Sequence, residues 1–133
     1  MNKEFIPYEQ ALALKELGFD EQCFGYYYTL NGKDWKFADD KQYDSLDEFY
    51  NIGSMFTIST PLYQQAFRWF REKHDLLNDV GISANRKNDT KKWMYSIIYL
   101  DKNTYVYSEE TYNTYEEAEL ACLKKLIEIV KEK

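Results

Sequence analysis

The chain has 133 residues, 23 of them acidic and 17 basic, for a net charge of −6 with its one histidine neutral. That length suits a single domain, which buries roughly two thirds of its unfolded surface and needs no disulfide or metal staple. The acidic balance argues against general nucleic-acid binding, and no apolar run approaches the roughly 20 residues that cross a bilayer.

The first predicted element is a short helix over 8–17, with Pro7 in its first turn and Gly18 placed to end it in the left-handed conformation. With Gly18 just past the helix, Phe19 packs back on Leu14. Strands over 24–30 and 33–37 flank Asn31-Gly32, the pair that a two-residue type I′ hairpin turn favours. Tyr26, Tyr28 and Leu30 then share one face of the first strand, and Tyr27 and Thr29 the other. The polar stretch 38–44 reads as a loop. Ser45-Leu46-Asp47-Glu48 reads as a capping box opening a helical turn that Gly53 closes, and 55–58 as a short strand.

Thr60-Pro61 is the pattern of an N-cap followed by proline at the first helical position, so a helix is expected to run to about Asp75. Leu62, Tyr63, Ala66, Phe67, Trp69 and Phe70 recur on it at spacings of three and four, a broad stripe buried on more than one side. Three antiparallel strands follow over 80–87, 92–100 and 104–108, joined by short runs of turn residues. The middle strand is apolar on both faces and therefore central. Thr114-x-x-Glu117 is a second capping box, opening a helix over 115–131 with Ala118, Ala121, Cys122, Leu126 and Ile129 inward. The expectation is a single α+β domain in two parts. Residues 59–133 form an α-β-β-β-α core, a three-stranded antiparallel sheet flanked by two helices. Residues 1–58 form a helix-plus-hairpin extension that extends or covers that sheet.

Charge is uneven along the chain: 11 acidic and 5 basic residues over 1–60, 4 and 7 over 61–92, 8 and 5 over 93–133. The basic middle centres on the turn between the first two core strands, where Arg86, Lys87, Lys91 and Lys92 fall within seven residues. The second unusual feature is aromatic content, 13 Tyr, 8 Phe and 3 Trp. Trp93, Tyr95 and Tyr99 share a face of the middle strand, and Tyr105 and Tyr107 are expected beside them. Covered by residues 1–58, these rings are a second core; open, they are a stacking platform or a protein-binding patch, and self-pairing is a third outcome. Cys23 and Cys122 fit no zinc or redox spacing. With no secretory signal at Met1, they read as small apolar residues of a cytosolic protein.

The opening FIPYEQALALKELGFDE, the segment PLYQQAFRWFREKH from position 61 and the ending YEEAELACLKKLIEIV together resemble a group of small uncharacterised proteins of phages and prophages. The resemblance implies an accessory protein acting in a bacterial cytoplasm. The α-β-β-β-α order and the helix bearing Ala118, Ala121 and Cys122 resemble the double-stranded-RNA-binding domain. In that family, lysines at the start of the last helix grip phosphate with help from the helix dipole. Glu116, Glu117 and Glu119 stand in that region here, which reverses the sign of the phosphate site. Arg86, Lys87, Lys91 and Lys92 loosely echo the family's minor-groove loop.

Candidate catalysis finds little support. His74 stands near a helix end with no nucleophile or carboxylate at a recognisable spacing. Asp39, Asp40, Asp44, Asp47 and Glu48 lack the alternation of a calcium loop and read as a solvated segment. Neither a glycine-rich phosphate loop nor a nucleophile elbow occurs. The reading is a protein that is not an enzyme and holds no cofactor or metal. It is expected to bind a host or phage protein in the bacterial cytoplasm, with host takeover or counter-defence as the setting. The alternative is nucleic-acid or nucleotide binding through the basic turn and the aromatic face.

Overall fold

A computed structural model describes residues 3–39, 56–83 and 91–133. The expected turn at 45–53, Met55, and the basic residues Arg86 and Lys87 lie outside the described residues. The fold is α+β, with three helices and two three-stranded antiparallel sheets among the described residues. The chain divides into two compact units, Met1–Ala66 and Phe67–Lys133.

In the first unit, α1 (Tyr8–Glu16) is preceded by Pro7 and ends at Gly18, whose φ of 101° only glycine adopts without strain. Gly18 N–H donates to the Lys15 carbonyl at 3.1 Å and Phe19 N–H to the Leu14 carbonyl at 3.0 Å, the double closure that accompanies a left-handed glycine at this position. The sheet has the order β2-β1-β3, built from β1 (Gly25–Thr29), β2 (Lys36–Asp39) and β3 (Phe56–Thr60). Thus the N-terminal hairpin does not extend the C-terminal sheet; residues 56–60 complete a sheet of its own.

Two local expectations are corrected. The hairpin does not turn at Asn31-Gly32: Tyr28 pairs with Lys36, which leaves a loop over 30–35. A type I′ turn needs positive φ at both central residues, and only Gly32, at 78°, has it. Asn31 instead uses its side-chain oxygen, which accepts from Lys33 N–H at 2.8 Å and Asp34 N–H at 2.9 Å. Likewise, Thr60 is not a helix cap. It closes β3, fully buried, and its hydroxyl donates to the Ile6 carbonyl at 2.6 Å, which also accepts from the Tyr27 hydroxyl at 2.9 Å. The next helix, α2 (Tyr63–His74), starts later. Its first N–H, on Tyr63, donates to the Glu4 carbonyl at 3.0 Å.

The second unit holds the rest of α2, then β4 (Leu76–Ile82), β5 (Trp93–Tyr99), β6 (Thr104–Tyr107) and α3 (Tyr115–Lys131). β4 begins earlier than the expected residue 80, because Asp75 alone makes the corner at φ 55°. Its carbonyl accepts from Leu100 N–H at 2.9 Å. α3 matches its expected bounds. Thr114 Oγ1 accepts from Glu117 N–H at 3.1 Å, while the Glu117 carboxylate reaches one residue further back, to Asn113 N–H at 3.2 Å. Ala118, Cys122, Leu123, Leu126, Ile127 and Ile129 are its buried stripe, and it packs over β5 and β4.

Candidate functional site

The register of the second sheet decides which aromatic residues are available. Ile82, Val80, Asn78 and Leu76 lie opposite Trp93, Tyr95, Ile97 and Tyr99, and Val106 lies opposite Ile97. This is the side that α3 covers: Ile97 is fully buried, Tyr95 nearly so, and the Trp93 ring meets Tyr115 edge-on at 5.4 Å. Burial, first of all, pushes the Tyr95 hydroxyl up to about 12, aided by Tyr112, Cys122, Glu128 and Glu109.

Tyr105 and Tyr107 lie opposite Ile98 and Ser96, and directly opposed residues share a face. They are therefore on the other side of the sheet from Trp93, Tyr95 and Tyr99, a correction to the single aromatic face expected. Burial of Trp93 and Tyr95 comes from α3, a helix of the same unit. Tyr105 and Tyr107 remain 59% and 58% exposed, with ring centroids 5.0 Å apart and tilted at 69°. A hydrogen bond between their hydroxyls, more than any other cause, raises the Tyr107 hydroxyl above its ordinary range.

β6 is also the end of its sheet. Ser108 N–H donates to the Tyr95 carbonyl at 2.9 Å, which fixes the phase of the ladder. Thr104 and Val106 share that phase and aim their backbone groups at β5, so those of Tyr105 and Tyr107 point outward. Beyond Ser108 the chain leaves β5 over 109–111 and returns at Tyr112, which exchanges two 2.8 Å hydrogen bonds with Trp93. Glu109 and Glu110 thus stand on a bulge at the end of the edge strand. Beside the edge is a cavity of about 790 Å³ lined by Tyr95, Tyr107, Glu109, Glu110, Lys125 and Glu128 among others. Lys125 lies 3.3 Å from Glu128, leaving carboxylate as the prevailing charge of the lining.

The basic turn is described only in part. Lys91 is exposed, whereas the Lys92 ammonium donates to the side chain of Asn113, the residue that Glu117 also holds. At the start of α3, burial raises the Glu119 carboxyl above its ordinary range, and Glu116 adds to this, against a hydrogen bond from Tyr115 that lowers it. A carboxyl with a raised native pKa loses stability as pH rises through that value. Glu119→Gln is therefore expected to raise the melting temperature at pH 7, with the gain vanishing below roughly pH 4.

His74 ends α2 against Trp69 and Phe70, with ring centroids at 4.9 and 6.0 Å. Among the described residues no group of three His, Cys, Asp or Glu could hold a metal ion, and no helix is long and apolar enough to cross a membrane. No protein-family model, curated protein or solved structure matches the chain.

Both cysteines are free, with burial pushing each thiol up to about 12, assisted by Glu21 at Cys23 and by Glu119 and Asp79 at Cys122. The reactive thiolate is then scarcer by roughly three orders of magnitude than in an ordinary cysteine. A higher-pKa thiolate is also the better nucleophile, so native protein is expected to react with a disulfide reagent at least about tenfold more slowly than unfolded protein, and a fast native phase contradicts that burial.

Sequence reading named Tyr105 and Tyr107 but gave no role to Glu109, Glu110, Lys125 or Glu128. Their grouping depends on which strand ends the sheet and on the bulge, neither of which leaves a local signal.

Proposed function

We propose that this chain is a non-catalytic binding protein acting through protein–protein interaction, with Tyr105 and Tyr107 as its anchor. The observation that carries this reading is the exposure of both rings on an edge strand whose outward backbone groups have no strand beside them among the described residues. Paired, hydrogen-bonding aromatic rings supply large contact area at small entropic cost, and such residues dominate binding hot spots. The phage resemblance of the three segments supports an accessory role in a bacterial cytoplasm. The same rings would suit base stacking, but Glu109 and Glu110 beside them repel phosphate, which favours a protein partner.

The test is native mass spectrometry of tagged protein drawn gently from bacterial lysate, alongside the Tyr105→Ala/Tyr107→Ala variant. Added mass matching a protein is expected with the parent chain. The double variant should hold that protein at least about 30-fold more weakly, the scale of removing one hot spot. Retention by the variant, or adducts of oligonucleotide mass alone, contradicts the proposal.

A further inference from the structure

The edge strand also specifies what kind of segment it takes. Resting on the binding role proposed above, the geometry points to an extended basic peptide that adds to β6 as a fourth strand. Three observations converge on this occupant.

The first is the backbone. Tyr105 and Tyr107 each direct one N–H and one C=O away from β5, the pattern that a further strand pairs with. Proteins usually blunt such edges with lysine or proline, yet β6 reads Thr-Tyr-Val-Tyr. The bulge at 109–111 limits the edge to a short segment, which suits a peptide better than a long sheet-to-sheet contact.

The second is charge. Glu109, Glu110 and Glu128 line the cavity beside the edge, and its one cation among the described residues, Lys125, is already paired with Glu128. The chain as a whole carries −6, which attracts a basic segment and repels a second copy of itself.

The third is ring chemistry. In an added strand, residues opposite Tyr105 and Tyr107 fall on the tyrosine side, where arginine or lysine can lie over an aromatic face. The same unit already uses this contact, with the Lys102 ammonium 5.6 Å from the centre of the Tyr99 ring. The residue between them falls on the opposite side, beside Val106, and is best small and apolar. The specified ligand alternates basic and small apolar residues.

The experiment titrates the full chain with a capped peptide alternating Arg and Val, following backbone amide resonances at low salt. Saturable shifts centred on Tyr105 and Tyr107 are expected. A peptide N-methylated on its pairing residues should bind at least about tenfold more weakly, as a lost hydrogen bond with its partner left unpaired requires. Glu109→Lys/Glu110→Lys should weaken the unmethylated peptide about tenfold, an effect that fades with added salt.

Equal binding of the methylated peptide would mean adhesion without strand addition and would overturn the inference. So would equal binding of a Glu-Val peptide, or no binding at millimolar concentration. Amides of Tyr105 and Tyr107 that become protected with rising protein concentration alone would give the edge to a second copy, also against it. If the tyrosine pair captures a partner from lysate while no Arg-Val peptide binds, the binding role survives and only this occupant fails.

Discussion

Phe70→Ala is expected to destabilise the second unit by about 3–5 kcal/mol, measured by urea unfolding at pH 7.5. Phe70 is fully buried, and its ring meets Trp69 edge-on at 5.0 Å. Truncation loses the transfer energy of the ring and leaves a cavity that helical neighbours cannot close fully. A second readout separates this from general loosening. His74, 6.0 Å from the Phe70 ring, is held below the ordinary histidine range by burial first and then by the charge of Lys133, against the opposing pull of Asp75. A histidine depressed in the native state binds more protons when unfolded, so stability falls as pH drops through about 6.5. In Phe70→Ala, water reaches the imidazole, its pKa rises toward the ordinary value, and that pH slope flattens. A loss under about 1 kcal/mol, or an unmoved His74 titration, contradicts the packing described.

Gly25→Ala is expected to destabilise the first unit by about 1–3 kcal/mol. Glycine inside a strand is ordinarily a liability, and alanine there should gain roughly 0.5–1 kcal/mol by restricting the unfolded chain. Here sterics outweigh that gain. A Cβ on Gly25 would stand 2.7 Å from two ring carbons of Phe5 and 3.0 Å from the Phe37 ring. The Phe5 ring cannot swing away freely, because it packs on Phe37 at 5.0 Å and Phe37 on Tyr27 at 5.7 Å. Phe5→Leu should therefore offset part of the cost, giving a double-mutant cycle with a coupling of 0.5 kcal/mol or more, on the order typical of residues in contact. Additive losses, or a stabilising Gly25→Ala, contradict this account.

What the sequence made legible was set locally. α3 was readable to the residue because Thr114, Glu117 and the apolar stripe all lie within one helix. The close of α1 was readable because Gly18 must carry positive φ. The corner at Asp75 escaped notice because a non-glycine residue takes that conformation, which moved the start of β4. Thr60-Pro61 misled because a buried hydroxyl bonded to Ile6, 54 residues away, looks in sequence like a cap. The site suffered most from this limit. Tyr105 and Tyr107 share their two-residue spacing with Trp93 and Tyr95, and only the pairing register shows that α3 covers one pair and leaves the other exposed. A slip of one residue would have reversed their sides.

The central claim, that β6 presents an unoccupied edge for a partner, is tested most directly by residue-resolved amide hydrogen exchange along 104–108. In the free protein the Val106 and Ser108 amides, which face β5, should exchange slowly, while those of Tyr105 and Tyr107 exchange near the rate of an unstructured chain and slow only when a partner is bound. Tyr105 and Tyr107 amides as protected as Val106 in the dilute free protein would contradict the claim, because the edge would then already be filled.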